Sequence, residues 1–394
     1  MNYKAVKLSS LLLGLALAAC SDSNAPAETP TPGDDQAQQP TEQSFLVIGD
    51  MGTGDIKQLR VAAAMEQVCG SQGCDFVIAT GDNIYETGVK SVDDAQFQSK
   101  FETPYENFSI PFFLTLGNHD NTSLIPGVST SNQRGDFQVL YAASDEAIKN
   151  GRWKMPARYY QVSLPYKGRQ QQIYSDPLID LFSIDSSPLT GVMRDLDPDY
   201  QPRTYKKVMQ QWMDAALEQS QARWKFAFAH HPYLSNGKHG NAGHYDVFSG
   251  TNNIFPYESG WIYKKFLEET VCRNQGNQRG VNVYFSGHDH DLQWLKSVEP
   301  CSDTQLIHSG AAGKARPFKD AQRNEVYWQK DLTLGFYHIK ATNDQLQVKA
   351  YTLDPEVENA QPQLACEGVI NHPTLTGAGQ DAVIVDCTSE AASI

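Results

Sequence analysis

The chain has 394 residues and a formal net charge of −14, from 32 basic against 46 acidic side chains. With no basic stripe to offset that charge, nucleic acid is excluded as a bulk polyanionic partner. The length suffices for one large α/β domain with a substantial core, and any phosphate site in it has to create its own local positive charge.

Residues 1–19 read as an export signal, in which Lys4 and Lys7 precede an apolar run from Leu11 to Ala19 that is too short to cross a bilayer. Leu17-Ala18-Ala19-Cys20 resembles the lipobox of bacterial lipoproteins, which implies signal removal and a lipid on Cys20. Ser21 favours sorting to an outer membrane. The expectation is an exported, membrane-anchored lipoprotein, on the outer membrane or the periplasmic face. Residues 20–43 are Pro, Gln, Thr, Ala and Asp with almost nothing to bury, and form a disordered tether. It reaches roughly 25 Å from its anchor.

The catalytic domain is expected over 44–353 and a C-terminal extension over 354–394. Ser44 to Gly49 reads as a buried strand, and Asp55 caps a helix to about Val68 with Ile56, Leu59, Ala63 and Met65 on its inner face. Asp75 to Thr80 is the next strand, so the first forty residues of the domain form a βαβ unit with a parallel pair. A helical stretch over Asp93–Phe101 leads to a strand at Phe112–Leu116. Leu181–Ile184 is a strand, and a helix over Thr204–Gln219 repeats Val208, Trp212, Ala216 and Met209, Met213 every four residues. Trp224–Ala229 delivers His230, a helix covers Trp261–Val271, and Val281–Phe285 leads to His288. Thr333–Ile339 and Gln345–Leu353 flank Asn343-Asp344 as a closing hairpin, which implies a second, mixed sheet.

Six cysteines remain beside Cys20, an even number in an exported chain. Sequence proximity pairs Cys69 with Cys74, Cys272 with Cys301, and Cys366 with Cys387.

Chemistry concentrates in five segments: Gly49-Asp50, Gly81-Asp82-Asn83-Ile84-Tyr85, Gly117-Asn118-His119-Asp120, His230-His231-Pro232 and Gly287-His288-Asp289-His290. Each follows an apolar run, so the polar residues fall where buried strands end, the place where open α/β sheets build sites. Phosphoester hydrolysis needs a nucleophilic hydroxide, neutralised phosphate oxygens and a proton for the leaving alkoxide. Two metal ions ~3.5 to 4 Å apart supply the first two. A carboxylate is the ligand best able to touch both ions, and Asp82 is the candidate.

These segments resemble the calcineurin-like metallophosphoesterases, specifically the purple acid phosphatase branch, related to tartrate-resistant acid phosphatase. Gly81-Asp82-Asn83-Ile84-Tyr85 is similar to that branch's Gly-Asp-Asn-Phe-Tyr, whose tyrosine binds ferric iron and gives a violet colour. The resemblance covers about residues 44–353 and implies a four-layer α/β/β/α sandwich, two mixed sheets flanked by helices. It implies that Asp50, Asp82, Tyr85 and His290 bind Fe(III), and that Asp82, Asn118, His230 and His288 bind a divalent ion, Zn, Fe or Mn. Anionic oxygens suit the hard trivalent ion, and imidazoles with an amide suit the divalent one.

The implied activity is acid phosphatase hydrolysis of small phosphomonoesters by a hydroxide on the two ions, with the protein a monomer. His119 donates to the phosphate and protonates the leaving group, and Asp120 is available for its other ring nitrogen. His239, in Asn236-Gly237-Lys238-His239-Gly240, matches a second outer-sphere histidine near substrate, beside Asn118 and His119. His231 stands where animal members carry tyrosine. Either it replaces His230 at the metal or it touches substrate, and the strand's alternation favours His230. The stretch Asn121–Asp180 is longer than in small animal members, and the tail after Asp354 has no counterpart in them.

Other functions fit less well. No Gly-x-Ser-x-Gly elbow supports a serine hydrolase, and Gly49 to Gly54 lacks the Walker lysine and the dinucleotide spacing. A phosphodiesterase or nucleotide hydrolase with two divalent ions is the nearest rival. A lipoprotein that binds metal or phosphate without turnover is the rival of another class.

Overall fold

The computed structural model describes residues 42–124, 127, 131–164, 177–191, 195–245, 260–272, 280–373 and 383–387. The expected signal, Cys20 and the tether as far as residue 41 lie outside the described residues, whereas Glu42 and Gln43, expected in the tether, instead open the first strand, where they pair with Thr342 and Ala341.

β1 (Glu42–Ile48) runs into α1 (Ile56–Gln72), and β2 (Phe76–Ala79) returns parallel to β1, the expected βαβ unit. The Asp55 carboxylate caps α1, accepting the Lys57 and Gln58 backbone N–H groups at 2.9 and 3.3 Å. Next come β3 (Phe112–Leu114), α2 (Gln133–Tyr141), α3 (Asp145–Asn150) and β4 (Trp153–Lys154). The chain then crosses to β5 (Tyr160–Leu164), β6 (Ile179–Ser183), α4 (Ser187–Thr190), α5 (Pro202–Gln219), β7 (Trp224–Phe228), α6 (Trp261–Phe266), β8 (Val283–Ser286), β9 (Leu292–Leu295), β10 (Gln305–Ser309) and β11 (Val326–Lys330). It comes back through β12 (Leu334–Thr342), β13 (Gln345–Leu353), β14 (Gln363–Asn371) and β15 (Val383–Cys387).

Among the described residues these strands form an eight-stranded sheet, β15-β14-β13-β12-β1-β2-β3-β4, and a seven-stranded sheet, β11-β9-β10-β8-β7-β6-β5. Both mix parallel and antiparallel pairs. The sheets meet face to face through rings: Phe45 of β1 lies 5.7 Å from Phe226 of β7 and 6.1 Å from Phe285 of β8. α1 covers the outer face of the first sheet with Val61, Met65 and Val68. α5 and α6 cover the second with Met209, Met213, Tyr263 and Phe266. The result is the expected α/β/β/α sandwich. All three expected disulfides join: Cys69–Cys74, Cys272–Cys301 and Cys366–Cys387, the last between directly paired residues of β14 and β15.

Four expectations need correction. The inner face of α1 is Gln58, Val61, Ala62, Met65 and Val68, whereas Ile56, Leu59 and Ala63 point outward. Gln58 is drawn in because its amide donates to Lys100 O at 2.7 Å and accepts the Gly54 N–H at 2.7 Å, which rotates the helix relative to its purely apolar stripe. In α5 the same effect of tertiary packing buries Tyr205, Met209 and Met213 and leaves Val208 half exposed. The closing hairpin does not found the second sheet: β12 pairs antiparallel with β1 and extends the first sheet, and β14 and β15 continue it. The helix expected over Asp93–Phe101 is shorter, closing in a π-helical turn at Gln98–Glu102.

Candidate metal centre

Asp50, Asp82 and Asn118 follow β1, β2 and β3, while His230 and His288 follow β7 and β8, so the donors come from both sheets where their parallel strands end. The turns that present them are tight. Asp50, Asp82 and His288 adopt positive φ of 57°, 52° and 82°, a region non-glycine residues enter at a cost that clusters at functional sites. Glycine makes the approach possible, since a Cβ on Gly117 would stand 2.1 Å from Asp82 Oδ1.

Two groups of donor atoms result. In the first, the Tyr85 hydroxyl donates to Asp50 Oδ1 at 2.7 Å and lies 3.2 Å from His290 Nε2, which is itself 3.4 Å from Asp50 Oδ1. In the second, Asn118 Oδ1 lies 2.7 Å from His230 Nε2 and 3.0 Å from His288 Nδ1, and the two ring nitrogens are 3.0 Å apart. Asp82 reaches both groups: its Oδ2 lies 3.5 Å from His230 Nε2, and its carboxylate acts on the Tyr85 phenol. One ligand atom each from Asp50, Asp82 and His230 fits within 4.8 Å, and all three residues are buried.

The protonation pattern around the second group fits a cation. His230 Nδ1 donates to Thr80 O at 3.0 Å, which orients the ring and turns Nε2 inward toward Asn118 and Asp82. The Asn118 amide donates to Gly127 O at 2.9 Å, so its oxygen faces the same point. Burial works against a charge on His230, but Asp82 and Asp50 outweigh it and raise the ring above the usual imidazole range, so the 2.7 Å contact from Nε2 to Asn118 Oδ1 is a hydrogen bond of the protonated ring, whose inward proton a cation would replace.

Electrostatics agree. Burial, then the charges of neighbouring histidines, holds His288 well below the usual imidazole range, and burial followed by Arg316 and Lys314 does the same to His290. Both rings stay neutral and keep their lone pairs. Burial pushes Asp50 up to about 6. Burial works in the same sense on Asp82, but the charges of His230 and His119 outweigh it and leave this carboxyl below its ordinary value. Burial, then Asp50 and Asp82, raises the Tyr85 phenol well above its ordinary value.

His119 rims the site with a ring partly open to solvent. Its Nδ1 donates to Glu86 O at 2.7 Å, with Glu86 Oε2 at 3.7 Å. Asp120, expected beside that nitrogen, instead accepts from the backbone of Gly117 at 2.7 Å and Ile84 at 3.0 Å and from Gln138 Nε2 at 2.7 Å. It ties the Asp82 loop to the Asn118 loop. The His239 ring lies 4.3 Å from that of His288, tilted by 36°, and its backbone N–H donates to Asp289 Oδ1 at 2.7 Å. His231 is buried, its Nδ1 2.8 Å from Ser186 Oγ and its Nε2 3.1 Å from Thr190 Oγ1. With both ring nitrogens engaged, His231 supports His288 from behind, the rings 4.4 Å apart, and has no hydrogen bond left for a phosphate. Glu86, Thr80 and Gly127 escape the sequence reading because all three act through backbone carbonyls, and Glu86 also stands one residue past the recognised motif.

Two adjoining groups of hard and borderline donors at the carboxyl ends of strands, linked by one carboxylate, define a dimetal phosphoesterase centre. Residues 44–292 match the family model for calcineurin-like phosphoesterase, and the chain belongs to that family, in its purple acid phosphatase branch. It is 30% identical over 322 residues to Purple acid phosphatase 3 of Arabidopsis thaliana, covering 78% of this chain and 74% of that protein. With Tartrate-resistant acid phosphatase type 5 of Homo sapiens it shares 25% identity over 323 residues, 77% of this chain and 85% of the relative. Among solved structures, GAP50, the anchor in the inner membrane complex of Plasmodium, superposes with a TM-score of 0.56 at 17% identity over 79% of this chain and 85% of its own, a likeness of fold.

Proposed function

We propose that the chain is an acid phosphatase that hydrolyses small phosphomonoesters with Fe(III) on Asp50, Asp82, Tyr85 and His290 and a divalent Zn, Fe or Mn on Asp82, Asn118, His230 and His288. The observation that carries this reading is the asymmetry of the donors: Tyr85 and Asp50 at 2.7 Å in one group, two imidazoles and an amide within 3.0 Å in the other. When bound, the ions would activate water and neutralise the phosphate oxygens.

The remaining work falls to the protein's own side chains. His119 is oriented by Glu86 O, so its Nε2 is the atom left to hold a proton for the leaving oxygen, with the Glu86 carboxylate 3.7 Å from Nδ1. His239, beside His288, is a second candidate to bind the phosphate. His119→Ala tests the assignment with two esters. Turnover of glycerol phosphate, a poor leaving group, should fall about 10²- to 10⁴-fold, and 4-nitrophenyl phosphate should suffer far less, with metal content retained. Equal losses on both esters would remove His119 from leaving-group protonation. A colourless protein fully active with manganese alone would favour the diesterase or nucleotide hydrolase reading, and metal binding without turnover of any ester would favour the non-catalytic one.

The same reading places the enzyme outside the cell, tethered through a lipid on Cys20. Its support is Leu17-Ala18-Ala19-Cys20 behind a short apolar run. Labelled palmitate should enter the full-length chain and not its Cys20→Ala variant.

A further inference from the structure

One side of the centre is lined by cations. After β10 the chain turns past Gly310 and Gly313 and delivers Lys314 and Arg316. Lys314 Nζ stands 3.6 Å over the centroid of the Tyr85 ring and donates to Glu86 Oε1 at 2.7 Å. Because Glu86 O holds His119 Nδ1, this ammonium sits between a donor of the first metal group and the proposed acid. Arg316 is fixed by its backbone: its N–H donates to His290 O at 2.9 Å, and its carbonyl accepts the Leu332 N–H at 3.2 Å. The residue is half-buried, and its guanidinium takes no carboxylate partner among the described residues. Its charge, after burial, helps hold the His290 ring below the usual imidazole range, and it acts on the His239 ring as well.

Such a placement calls for an explanation. The chain carries 46 acidic residues, yet none of those described neutralises this arginine, while Arg158, also in the interior, pairs with Asp185 and Asp136. A guanidinium that has lost part of its water without gaining a carboxylate is suited to an anion that arrives from outside. Its fork matches a phosphate. The Lys314 ammonium, half-neutralised by Glu86, adds a second contact on the His119 side, where the leaving group departs.

We infer that Lys314 and Arg316 form a second anion subsite that takes a phosphate carried on the leaving-group side of the scissile ester, so that the preferred substrates carry two phosphates rather than one. This rests on the acid phosphatase reading above and narrows its substrate class. The second phosphate can come from an anhydride or from a separate ester on the same molecule, and the probes differ accordingly.

The experiment compares kcat/KM of the full chain on phenyl phosphate, glucose 6-phosphate, glucose 1,6-bisphosphate and inorganic pyrophosphate. The wild type should prefer the two-phosphate probes, pyrophosphate alone if the anhydride is the source and the bisphosphate if it is the separate ester. Arg316→Gln should cost about tenfold or more on the preferred probe, the loss of a charge-assisted contact, and markedly less on phenyl phosphate. Lys314→Gln should act in the same direction, and Arg316→Lys should recover part of the preference. Metal content of each variant, read alongside, separates a lost subsite from a damaged centre. No wild-type preference for two phosphates, or an equal loss on all four probes in Arg316→Gln and Lys314→Gln, overturns the subsite while leaving the phosphatase intact. Failure of the wild type on every probe overturns both, and only that outcome touches the broader reading.

Discussion

The Tyr85 hydroxyl donates to Asp50 Oδ1 at 2.7 Å, closing one wall of the centre with two oxygens that share a proton. Burial, then the two neighbouring carboxylates, keeps that phenol protonated well above its ordinary range when no ion is bound. A ferric ion would replace the proton. Protein stripped by chelator and reductant should therefore be colourless and show no Tyr85 phenolate absorbance at pH 10, and ferric iron should restore a visible band. Tyr85→Phe should keep the fold by circular dichroism and never acquire the band. A visible band of the same intensity in Tyr85→Phe would sink the assignment.

Gly117 controls the linking carboxylate by absence of a side chain. A Cβ there would meet Asp82 Oδ1 at 2.1 Å and Asp82 N at 2.3 Å, and Asp82 already occupies a positive φ of 52°, so the loop has little room to retreat. Gly117→Ala should lower metal affinity roughly 10- to 100-fold, the scale of disturbed ligand support. Dialysis against a buffered metal series reads this directly. Gly70→Ala, where nothing lies within 4 Å, should bind metal as the wild type does.

Most of the donor set was legible because its members stand directly after apolar runs, and strands were legible for the same reason: β2 and β7 are buried along nearly their whole length, so little but a strand suits them. Helix faces were harder. Ile56 and Leu59 of α1 look like core residues, yet Gln58 is the buried one because Lys100 O and Gly54 N complete its hydrogen bonds, partners 42 and 4 residues away. Contacts made through backbone atoms, such as Thr80 O with His230 and Glu86 O with His119, leave no mark in residue type. The pairing of β12 with β1 was illegible for a different reason: it joins segments almost 300 residues apart, and the hairpin's own pattern fits an edge of either sheet.

Arg158 secures the loop that carries Asn118 and His119. Its guanidinium donates to Asp185 Oδ2 at 2.7 Å, Asp136 Oδ1 at 2.9 Å and Asn121 Oδ1 at 3.0 Å, and Asn121 in turn donates to Gly117 O at 2.9 Å. Arg158→Met would strand Asp185, which is fully buried, and should cost about 3–5 kcal/mol by urea unfolding. Turnover should fall with it as the loop loosens. Adding Asp185→Asn should recover part of the stability, since the stranded charge is then gone. No recovery would mean that the guanidinium acts by packing alone.

His338 sets a pH limit on the fold independent of the centre. It lies on β12 opposite Lys349, 3% exposed, with Nε2 3.0 Å from Gly73 O at the far end of α1 from Asp55. Burial holds its pKa below the ordinary 6.5; the Gly73 carbonyl opposes this, and Lys349 and Lys340 reinforce it. The folded ring therefore takes up a proton only at lower pH than the unfolded one. Between the two values the unfolded chain binds more protons, so stability present at neutral pH is lost as the pH falls below about 6.5. His338→Gln keeps an N–H for Gly73 and removes the titration, so its melting temperature should decline less steeply than the wild type's between pH 7 and 5. The difference should survive chelation, because no donor of the metal centre touches this ring. Parallel melting curves for the two proteins across that range would assign the acid sensitivity to other groups.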